Sequence, residues 1–518
     1  MVNKEVDKSP PVADIRKGQA DDNPQDMTVI DEYNFNSKDI PIKITVYNKK
    51  GEFVPIYNVA ISSLSRSTEI ILEKIRKELV KQVSLGMVEI TDVKKSTIIE
   101  EKFKETIRIL IDRYFPDAVE ETKGFLTTYL IQKSLGMGNI EILMDDRLLE
   151  EIAINSAEEP VWIYHKKHGW LKTNIFLGDE EQIIHYSTMI GRKVGRQISV
   201  LEPLLDAHIG EGDRVNATLM PISSHGNTIT LRKFSRDPWT ITSLLRFGTI
   251  SPSAAALIWE GIQYELSAII AGGTASGKTS MLNVLANFFP PNQRIISIED
   301  TREIRLPKFL HWLPMNTRMP NAEGKGGVTM LDLLVNSLRM RPDRILVGEV
   351  RRAKEAEVLF EAIHTGHSVY ATFHANNVHE AITRLTSPPI DVPLSMMPGI
   401  SMIIVQMRNR RTGLRRTFQI GEIMPDAKPN VLMQLDLKKD VLCHANKSKA
   451  INDTLQLYTG NSPAEIKADL DEKEEILKYL VKKNIETIDS VGLLMARYYT
   501  EHDDLLKQIK SNKYTGAS

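Results

Sequence analysis

The sequence predicts an α/β protein in which a mostly parallel β-sheet covered by helices follows a smaller α+β N-terminal domain. Two observations carry this prediction. A glycine-rich phosphate-loop motif at residues 272–279 lies between an apolar strand pattern and a helical pattern. From about residue 251 onward, strand patterns alternate with helical patterns, which is typical of a parallel sheet covered on both faces.

The first part of the chain is predicted to hold a tail, a domain and a linker. Residues 1–38 are polar and are interpreted as a disordered tail. Residues 39–234 are expected to form the α+β N-terminal domain, with a helical subregion at about 64–135, because short strand patterns surround three amphipathic helical patterns. Residues 235–250, which include the breaker Pro238, are predicted to be a linker.

The second part, residues 251–518, is predicted to be the domain with the parallel sheet and a helical C-terminal region. Helical patterns stand between most of its strand patterns. One begins at the N-cap candidate Thr329, and another ends before Gly366. The predicted strands lie near 266–270, 294–298, 311–316, 344–348 and 367–373, followed by a hairpin after residue 400 and helices over 463–510.

The composition excludes several classes of protein. Of 518 residues, 42% are hydrophobic and 26% charged, as in ordinary soluble proteins. The formal net charge is −1, so no global basic field indicates nucleic acid. The single cysteine, Cys443, excludes an internal disulfide framework and is typical of a reducing cytoplasm. Pro398 and Gly399 interrupt the longest apolar run, and the first residues lack an apolar signal segment, so a cytoplasmic location is expected.

The sequence GGTASGKT carries the most specific chemistry in the chain. Its glycines let backbone N–H groups surround phosphate oxygens, and the following helix adds the positive end of its dipole. Lys278 is expected to reach the β- and γ-phosphates, and Thr279 to hold Mg²⁺. The predicted nucleotide-binding residues of the loop are Gly272, Gly273, Thr274, Ala275, Ser276, Gly277, Lys278, Thr279 and Ser280.

Charged residues follow three predicted strands at the edge where ligands of parallel sheets bind. Glu299 follows one strand, with Glu303 one turn later; Glu349 and His374 follow two others. Hydrolysis needs a carboxylate that orients water and a carboxylate that holds Mg²⁺. Glu299, Glu303 and Glu349 are therefore candidate catalytic residues, with Glu349 also a metal ligand, and His374 is a candidate γ-phosphate sensor. Which glutamate acts as the base is left open.

His367 and His374 might suggest a metal pair, but their spacing of seven puts them on opposite faces of a strand. A shared metal is therefore not expected. We expect His367, at the other end of the strand, to be a structural hydrogen-bonding residue.

Four motifs in this order resemble those of the secretion ATPases of the type II and type IV secretion superfamily, in particular the archaeal branch that drives archaellum and type IV pilus assembly. GGTASGKT resembles the Walker A loop, SIEDTREI the acidic box, RPDRILVGEVR the Walker B motif and TGHSVYATFH the histidine box. Upstream, GMGNIEILMDDRLLEEIAIN resembles part of the family's N-terminal domain.

The resemblance implies a ring-shaped homohexamer of RecA-like, ATP- and Mg²⁺-dependent motor domains that acts at the inner face of the cell membrane on a membrane-embedded platform protein. Glu303 then takes the place of the catalytic glutamate and Glu349 that of the Walker B glutamate. Arg214 and Arg232 fall where arginines of the N-terminal domain reach the phosphates; a surface ion pair is their alternative.

Two other functions are compatible with the same motifs. One is a RecA-type nucleic-acid translocase, which DNA-stimulated hydrolysis would reveal. The other is a nucleotide-dependent scaffold, against which the three glutamates argue. The sequence leaves open whether the filament is an archaellum, a pilus or a pseudopilus, whether it is assembled or rotated, and whether the arginines act in cis or in trans.

Overall fold

The computed structural model describes residues 14–15, 27–38, 40–61, 66–82, 93–210, 212–234, 238–320 and 324–514. The chain divides into two units, residues 1–235 and 236–518, which we call the N-terminal unit and the C-terminal unit. The boundary coincides with the start of the predicted linker.

The N-terminal unit is an α+β structure with a nine-stranded sheet. Its strands are β1 Asp14–Ile15, β2 Met27–Ser37, β3 Ile40–Lys49, β4 Ile56–Ile61, β5 Leu149–Ile154, β6 Trp162–His165, β7 Gly169–Thr173, β8 Ile175–Phe176, β9 Leu204–Ile209, β10 Asp213–Thr218 and β11 Thr228–Arg232. Its helices are α1 Arg66–Gln82, α2 Val93–Tyr114, α3 Glu120–Leu135, α4 Asn139–Asp145 and α5 Glu180–Lys193. The strand order is β2-β3-β4-β7-β6-β5-β11-β10-β9, and β1 pairs with β8 separately.

Alternating apolar residues build this sheet. In β3 the residues Ile40, Ile42, Ile44 and Val46 are buried, because successive side chains of a strand point to opposite faces. They share one core with buried residues of α1 and α2, among them Ile107. Neighbouring strands are antiparallel except β4 and β7. The three predicted helices are present, and β3 and β4 form an antiparallel pair.

Part of the predicted disordered tail is a strand. β2 lies at the edge of the sheet and pairs with β3 along its whole length. Its polar composition has a physical reason, since an edge strand has one neighbour and keeps polar side chains toward solvent. Tyr33 and Phe35 pack partly against the core, and the Tyr33 hydroxyl donates a 2.6 Å hydrogen bond to Asp146. The rest of the predicted tail lies almost entirely outside the described residues.

The predicted linker also needs correction. Residues 235–237 lie outside the described residues, but Ile241–Arg246 forms helix α6. Ile241 and Leu244 are buried in the core of the C-terminal unit. Most of residues 238–250 is therefore part of that unit and not a free connection.

The C-terminal unit is built on a second nine-stranded sheet. Its strands are β12 Ala268–Gly272, β13 Arg294–Glu299, β14 His311–Asn316, β15 Arg344–Val347, β16 Ser368–Phe373, β17 Met402–Arg408, β18 Arg415–Ile423, β19 Pro429–Asp436 and β20 Val441–His444. Its helices after α6 are α7 Pro252–Gln263, α8 Lys278–Ala286, α9 Met330–Ser337, α10 Ala353–His364, α11 Val378–Leu385, the 3₁₀ helix Leu394–Gly399, α12 Ala450–Thr459, α13 Pro463–Lys482, α14 Ile488–Thr500 and α15 His502–Lys510.

The order of strands in this sheet is β14-β13-β15-β16-β12-β17-β18-β19-β20. All neighbouring pairs from β14 to β17 are parallel, and the remaining pairs are antiparallel. Hydrophobic cores cover both faces: Ile270 of β12 belongs to one core, and Ile269 and Ala271 belong to the other. The predicted mostly parallel sheet is confirmed, whereas β19 and β20 were not predicted.

A buried ion pair joins the C-terminal helices to the sheet-covering helix α7. The Lys473 ammonium of α13 lies 2.5 Å from the Glu260 carboxylate of α7, and both side chains are almost fully buried. The rings of Trp259 and Tyr498 lie 5.8 and 5.4 Å from the ammonium. Burial raises the pKa of Glu260, and the Lys473 charge opposes that change. The two opposite charges therefore compensate each other in an apolar surrounding.

None of the helices in the described ranges combines the length and the apolar character that a membrane crossing requires.

Candidate active site

The phosphate-loop motif connects the end of β12 to the start of α8, as its sequence predicts. Gly272 has no room for a side chain: an added Cβ would lie 2.4 Å from the Ser276 Oγ and 2.5 Å from the Gln406 carbonyl oxygen. Gly277 has φ +96°, a left-handed conformation that favours glycine. These constraints hold the loop tightly against β17 and place the N-terminus of α8 at its end.

Lys278 is the first residue of α8, and its ammonium folds back over the loop. Its Nζ donates a 2.9 Å hydrogen bond to the Gly273 carbonyl oxygen, which also accepts a 2.9 Å bond from the Ser276 hydroxyl. Burial lowers the pKa of Lys278, while the negative charges of Glu349 and Glu303 oppose that change. The ammonium is therefore within the electrostatic range of both predicted catalytic carboxylates.

Glu349 follows β15 and is the centre of a group of charged side chains that we call the Glu349 cluster: Asp300, Glu349, Arg351 and His374. The Glu349 Oε1 lies 2.7 Å from the His374 Nε2. Its Oε2 accepts a 2.8 Å hydrogen bond from the Arg351 Nε. The Arg351 Nη1 donates a 2.8 Å bond to the Asp300 Oδ2. Short polar contacts thus link the ends of β13, β15 and β16.

The structure brings His374 beside Glu349, at the strand end that the sequence predicts. Burial lowers the pKa of His374, and the nearby Lys278 charge lowers it further. A neutral imidazole donates from one nitrogen and accepts at the other, so His374 is able to donate to Glu349 without carrying charge. His367, by contrast, lies at the other end of β16 and approaches the Ala362 carbonyl oxygen and the Thr365 hydroxyl, each at 3.2 Å. Its predicted structural role is confirmed.

Glu299 differs from the prediction of a ligand-facing carboxylate. Its residue is only 2% exposed, and its Oε1 accepts hydrogen bonds from the backbone N–H groups of Glu303 and Ile304 at 2.9 and 3.0 Å. Its Oε2 is buried and has no hydrogen-bond partner among the residues that the structure describes. Burial raises the pKa of Glu299 to about 7. This carboxyl group therefore shapes the loop that carries Glu303.

Glu303 is held at the site from two sides. Its own backbone is fixed by Glu299, and the next turn of the loop is fixed by α8, since the Arg305 N–H donates 2.7 Å to the Asn283 Oδ1. Asn283 is buried in the helix that begins at Lys278. The side-chain amide of Asn283 thus joins the loop that carries Glu303 to α8, the helix that follows the phosphate loop.

A cavity of about 310 Å³ adjoins the Glu349 cluster. Three basic side chains, Arg351, His374 and Arg384, line it together with apolar residues that include Phe373 and Ile390. The Glu349 cluster therefore adjoins a cavity that is lined in part by basic side chains.

Arg214 and Arg232 lie in the N-terminal unit, directly opposite each other on the antiparallel strands β10 and β11. Arg214 forms a two-pronged ion pair with Asp206, with Nε–Oδ1 at 3.1 Å and Nη2–Oδ2 at 2.6 Å. The charge of Arg232 opposes the burial-driven rise in the pKa of Glu151. Arg214 and Arg232 thus lie at the same end of two adjacent inner strands. For Arg214 the surface ion pair that we considered as its alternative is present.

The oxygen donors of the site fit a magnesium–nucleotide complex. Thr279 is in the first turn of α8 and Glu349 is at the end of β15, and hydroxyl, carboxylate and phosphate oxygens are the ligands that Mg²⁺ prefers. Within the described ranges no set of three His, Cys, Asp or Glu side chains forms a metal site of its own. An ion at this place would take its remaining ligands from phosphate and water.

Sequence reasoning missed four residues of the site: Asp300 and Arg351 as a linked pair, Asn283 and Arg415. Asp300 and Arg351 stand in the two acidic motifs, so their proximity could have been inferred from the neighbouring strand ends. Arg415 of β18 donates a 3.0 Å hydrogen bond from Nε to the Ala275 carbonyl oxygen in the phosphate loop. No local pattern in the sequence connects these two residues.

Comparison with known proteins identifies relatives across most of the chain. A model of the family described as "Type II/IV secretion system protein" matches residues 205–408. An uncharacterized protein of Methanocaldococcus jannaschii is 35% identical over 399 residues, covering 74% of this chain and 71% of the relative. The type IV secretion system protein PtlH of Bordetella pertussis is 28% identical over 301 residues, covering 52% of this chain and 88% of PtlH.

Among solved structures, the ATPase DotB of Legionella pneumophila is similar to this chain, with 18% identity and a TM-score of 0.42 over 70% of this chain and 91% of DotB. An identity and a score this low add no conclusion about chemistry.

Proposed function

Because the chain belongs to the type II/IV secretion system protein family, we propose that it is an ATP-hydrolysing motor that works as a ring of identical subunits. The observation that carries this proposal is the placement of Lys278 in the phosphate loop within electrostatic range of Glu349, whose carboxylate contacts His374 and Arg351 at neighbouring strand ends. A phosphate-binding loop, a buried ammonium and a poised carboxylate are the parts that phosphoryl transfer requires.

The phosphate loop binds the nucleotide. Backbone N–H groups of residues 272–279 and the N-terminus of α8 surround the phosphates. The Lys278 ammonium exchanges the Gly273 carbonyl oxygen, its present partner, for phosphate oxygens that carry more negative charge. When bound beside Thr279 and Glu349, Mg²⁺ supplies positive charge to the phosphate oxygens.

Glu349 orients the attacking water. One of its oxygens is held by His374 and the other by Arg351, so its orientation is fixed before substrate arrives. Glu303 is the second candidate for the base, and Glu299 is a positioning residue that holds the Glu303 backbone. His374 reports the γ-phosphate to Glu349 through their contact.

Arg214 and Arg232 complete the site when subunits form a hexameric ring. Guanidinium groups stay charged, and their planar shape matches phosphate oxygens. In a ring they exclude water and stabilise the negative charge that develops during transfer. For Arg214 this requires that phosphate replace Asp206, its present partner.

The motor acts at the inner face of the cell membrane on a membrane-embedded platform protein and drives assembly or rotation of a type IV pilus-like filament, an archaellum or a pilus. The long alignment with a protein of an archaeon supports an archaeal system of this kind. The near-neutral net charge of −1 supports a protein partner over nucleic acid.

The decisive experiment measures ATP turnover by the purified full chain and its Lys278→Ala variant. Loss of the ammonium leaves phosphate charge uncompensated, so we expect turnover to fall ~10²–10³-fold or more. Lys354→Ala, which removes an exposed lysine on α10, is the matched control and should turn over normally. Normal turnover by Lys278→Ala would refute the assignment, and stimulation by DNA would favour a translocase.

The ring is tested by mixing two inactive proteins, Arg214→Ala/Arg232→Ala and Lys278→Ala. Recovered activity places the arginines in trans; confirmed mixed rings without recovery place them in cis. Asp206→Asn is the control for the surface alternative, because it breaks the ion pair and keeps Arg214. If Asp206→Asn alone abolishes turnover, the ion pair and not phosphate contact explains the loss.

A further inference from the structure

An arginine-rich hairpin lies beside the phosphate loop. β17 and β18 form it, with Arg408 paired opposite Arg415 at its end. β17 is also the parallel neighbour of β12, and Gln406 of β17 closes off the space above Gly272. The hairpin is therefore a wall of the loop.

Arg415 contacts the loop directly. Its Nε donates 3.0 Å to the Ala275 carbonyl oxygen, and its Cδ would lie 3.6 Å from a Cβ added at Gly277. A guanidinium has five N–H donors in one plane, and the carbonyl takes one of them. This hydrogen bond lies in the plane of the Arg415 guanidinium, so it restrains the guanidinium without occupying either of its two faces.

The neighbouring arginine behaves differently. Arg416 is turned the other way by the alternation of the strand and forms a two-pronged ion pair with Asp440, with Nε–Oδ1 at 2.9 Å and Nη2–Oδ2 at 2.7 Å. Within the described ranges no carboxylate forms an ion pair with Arg415, whose side chain is exposed. Arg416 pairs with Asp440 and does not contact the loop through any hydrogen bond of the described residues, whereas Arg415 is presented to the loop.

The strand order gives the direction of a bound nucleotide. In the sequence β15-β16-β12-β17-β18, Glu349 follows β15 and the phosphate loop follows β12. A triphosphate whose γ end faces Glu349 and His374 has its nucleoside end on the opposite side of the loop, which is the side of β17 and β18. Arg415 is the residue of β18 that contacts the loop there.

From this arrangement we infer that the hairpin forms the nucleoside side of the site and that Arg415 stacks its guanidinium plane on the base. The inference rests on the proposed function, since it takes the γ end to lie at Glu349. A planar cation held by its edge is suited to stack on an aromatic ring. Arg415 is thus a binding residue for the base and has no part in the chemical step.

The test compares ligands with and without a base on the full chain. We expect Arg415→Gln to weaken ADP binding about 5-fold, to raise KM for ATP with kcat nearly unchanged, and to leave the affinity for inorganic pyrophosphate at the wild-type value. Arg415→Lys keeps the charge without the planar group and should recover little of the ADP affinity. Arg416→Gln is the matched control and should bind ADP within about twofold of wild type.

Each result decides the inference. Equal losses for ADP and pyrophosphate would overturn it, because Arg415 would then act on the phosphates or the loop. Full recovery by Arg415→Lys would also overturn it, since charge alone would suffice. Wild-type ADP affinity in Arg415→Gln would refute the base contact while Lys278→Ala still tests the motor. A wild-type chain that binds no ADP would refute the proposed function itself.

Discussion

Glu299 and Glu349 both follow parallel strands that are neighbours in the sheet, yet their surroundings are opposite. Glu299 is 2% exposed, binds two backbone N–H groups and has a pKa raised to about 7. Glu349 is partly exposed and contacts two side chains, His374 and Arg351. Gly348, the residue before Glu349, packs closely against Glu299: a Cβ added at Gly348 would lie 3.3 Å from the Glu299 Cγ. A carboxylate at a strand end is therefore buried or open to its neighbours according to what surrounds it, and of these two only Glu349 has the exposure that the proposed catalytic role requires.

The largest expected effect is on Glu349. Glu349→Gln keeps the shape of the side chain and removes its charge, so we expect kcat to fall ~10²–10³-fold while ATP still binds. Steady-state turnover and nucleotide affinity measure the two properties separately. Glu303→Gln should also bind ATP and hydrolyse it slowly. Normal turnover in both variants would mean that the carboxylates are wrongly assigned.

Glu299 should affect stability more than chemistry. With a folded-state pKa near 7 and an ordinary value of 4.5, the folded protein keeps a proton that the unfolded chain has released between these values. Stability should therefore fall as pH rises from about 4.5 to 7, by at most about 3 kcal/mol. Glu299→Gln should remove this fall, measured by urea unfolding across that range.

One comparison isolates this effect. Subtracting the Glu299→Gln curve from the wild-type curve removes the contribution of other groups, such as His165, whose pKa burial lowers to about 4. If Glu299→Gln keeps the wild-type pH dependence of stability, that dependence does not come from Glu299.

His374→Asn should give an intermediate effect. The amide still donates a hydrogen bond but does not reproduce the 2.7 Å contact to Glu349 in the same place. We expect kcat to fall about 10-fold with ATP affinity nearly unchanged, since the variant loses one short polar contact to a charged group. A loss as large as that of Glu349→Gln would assign His374 its own catalytic role.

The smallest expected effect is at the solvent side of the Glu349 cluster. Asp300→Asn weakens the ion pair with Arg351, whose side chains are 44% and 58% exposed. Exposed pairs contribute about 1 kcal/mol or less, so turnover should stay within about fivefold of wild type. A large loss in a steady-state assay would mean that Asp300 is needed to hold Arg351 on Glu349.

The sequence predicted the inner parallel strands because they are apolar runs buried on both faces, as in Ala268–Gly272. It missed β2 because an edge strand keeps polar side chains, and it missed β19 and β20 at the other sheet edge, where β20 is largely exposed. The phosphate loop was predictable because its geometry is local. The Asp300–Arg351 pair joins residues 51 positions apart, and the burial of Glu299 depends on Gly348 of another strand.

The ion pair of Lys473 and Glu260 has a mechanical consequence. Separating α13 from α7 would leave the buried charges of Lys473 and Glu260 without their partners. Removing one partner of a buried ion pair typically costs about 3–5 kcal/mol. Displacing α13 from α7 therefore carries an energetic cost, and α7 precedes β12 and the phosphate loop in the chain. A movement of α13 should accordingly carry α7 with it.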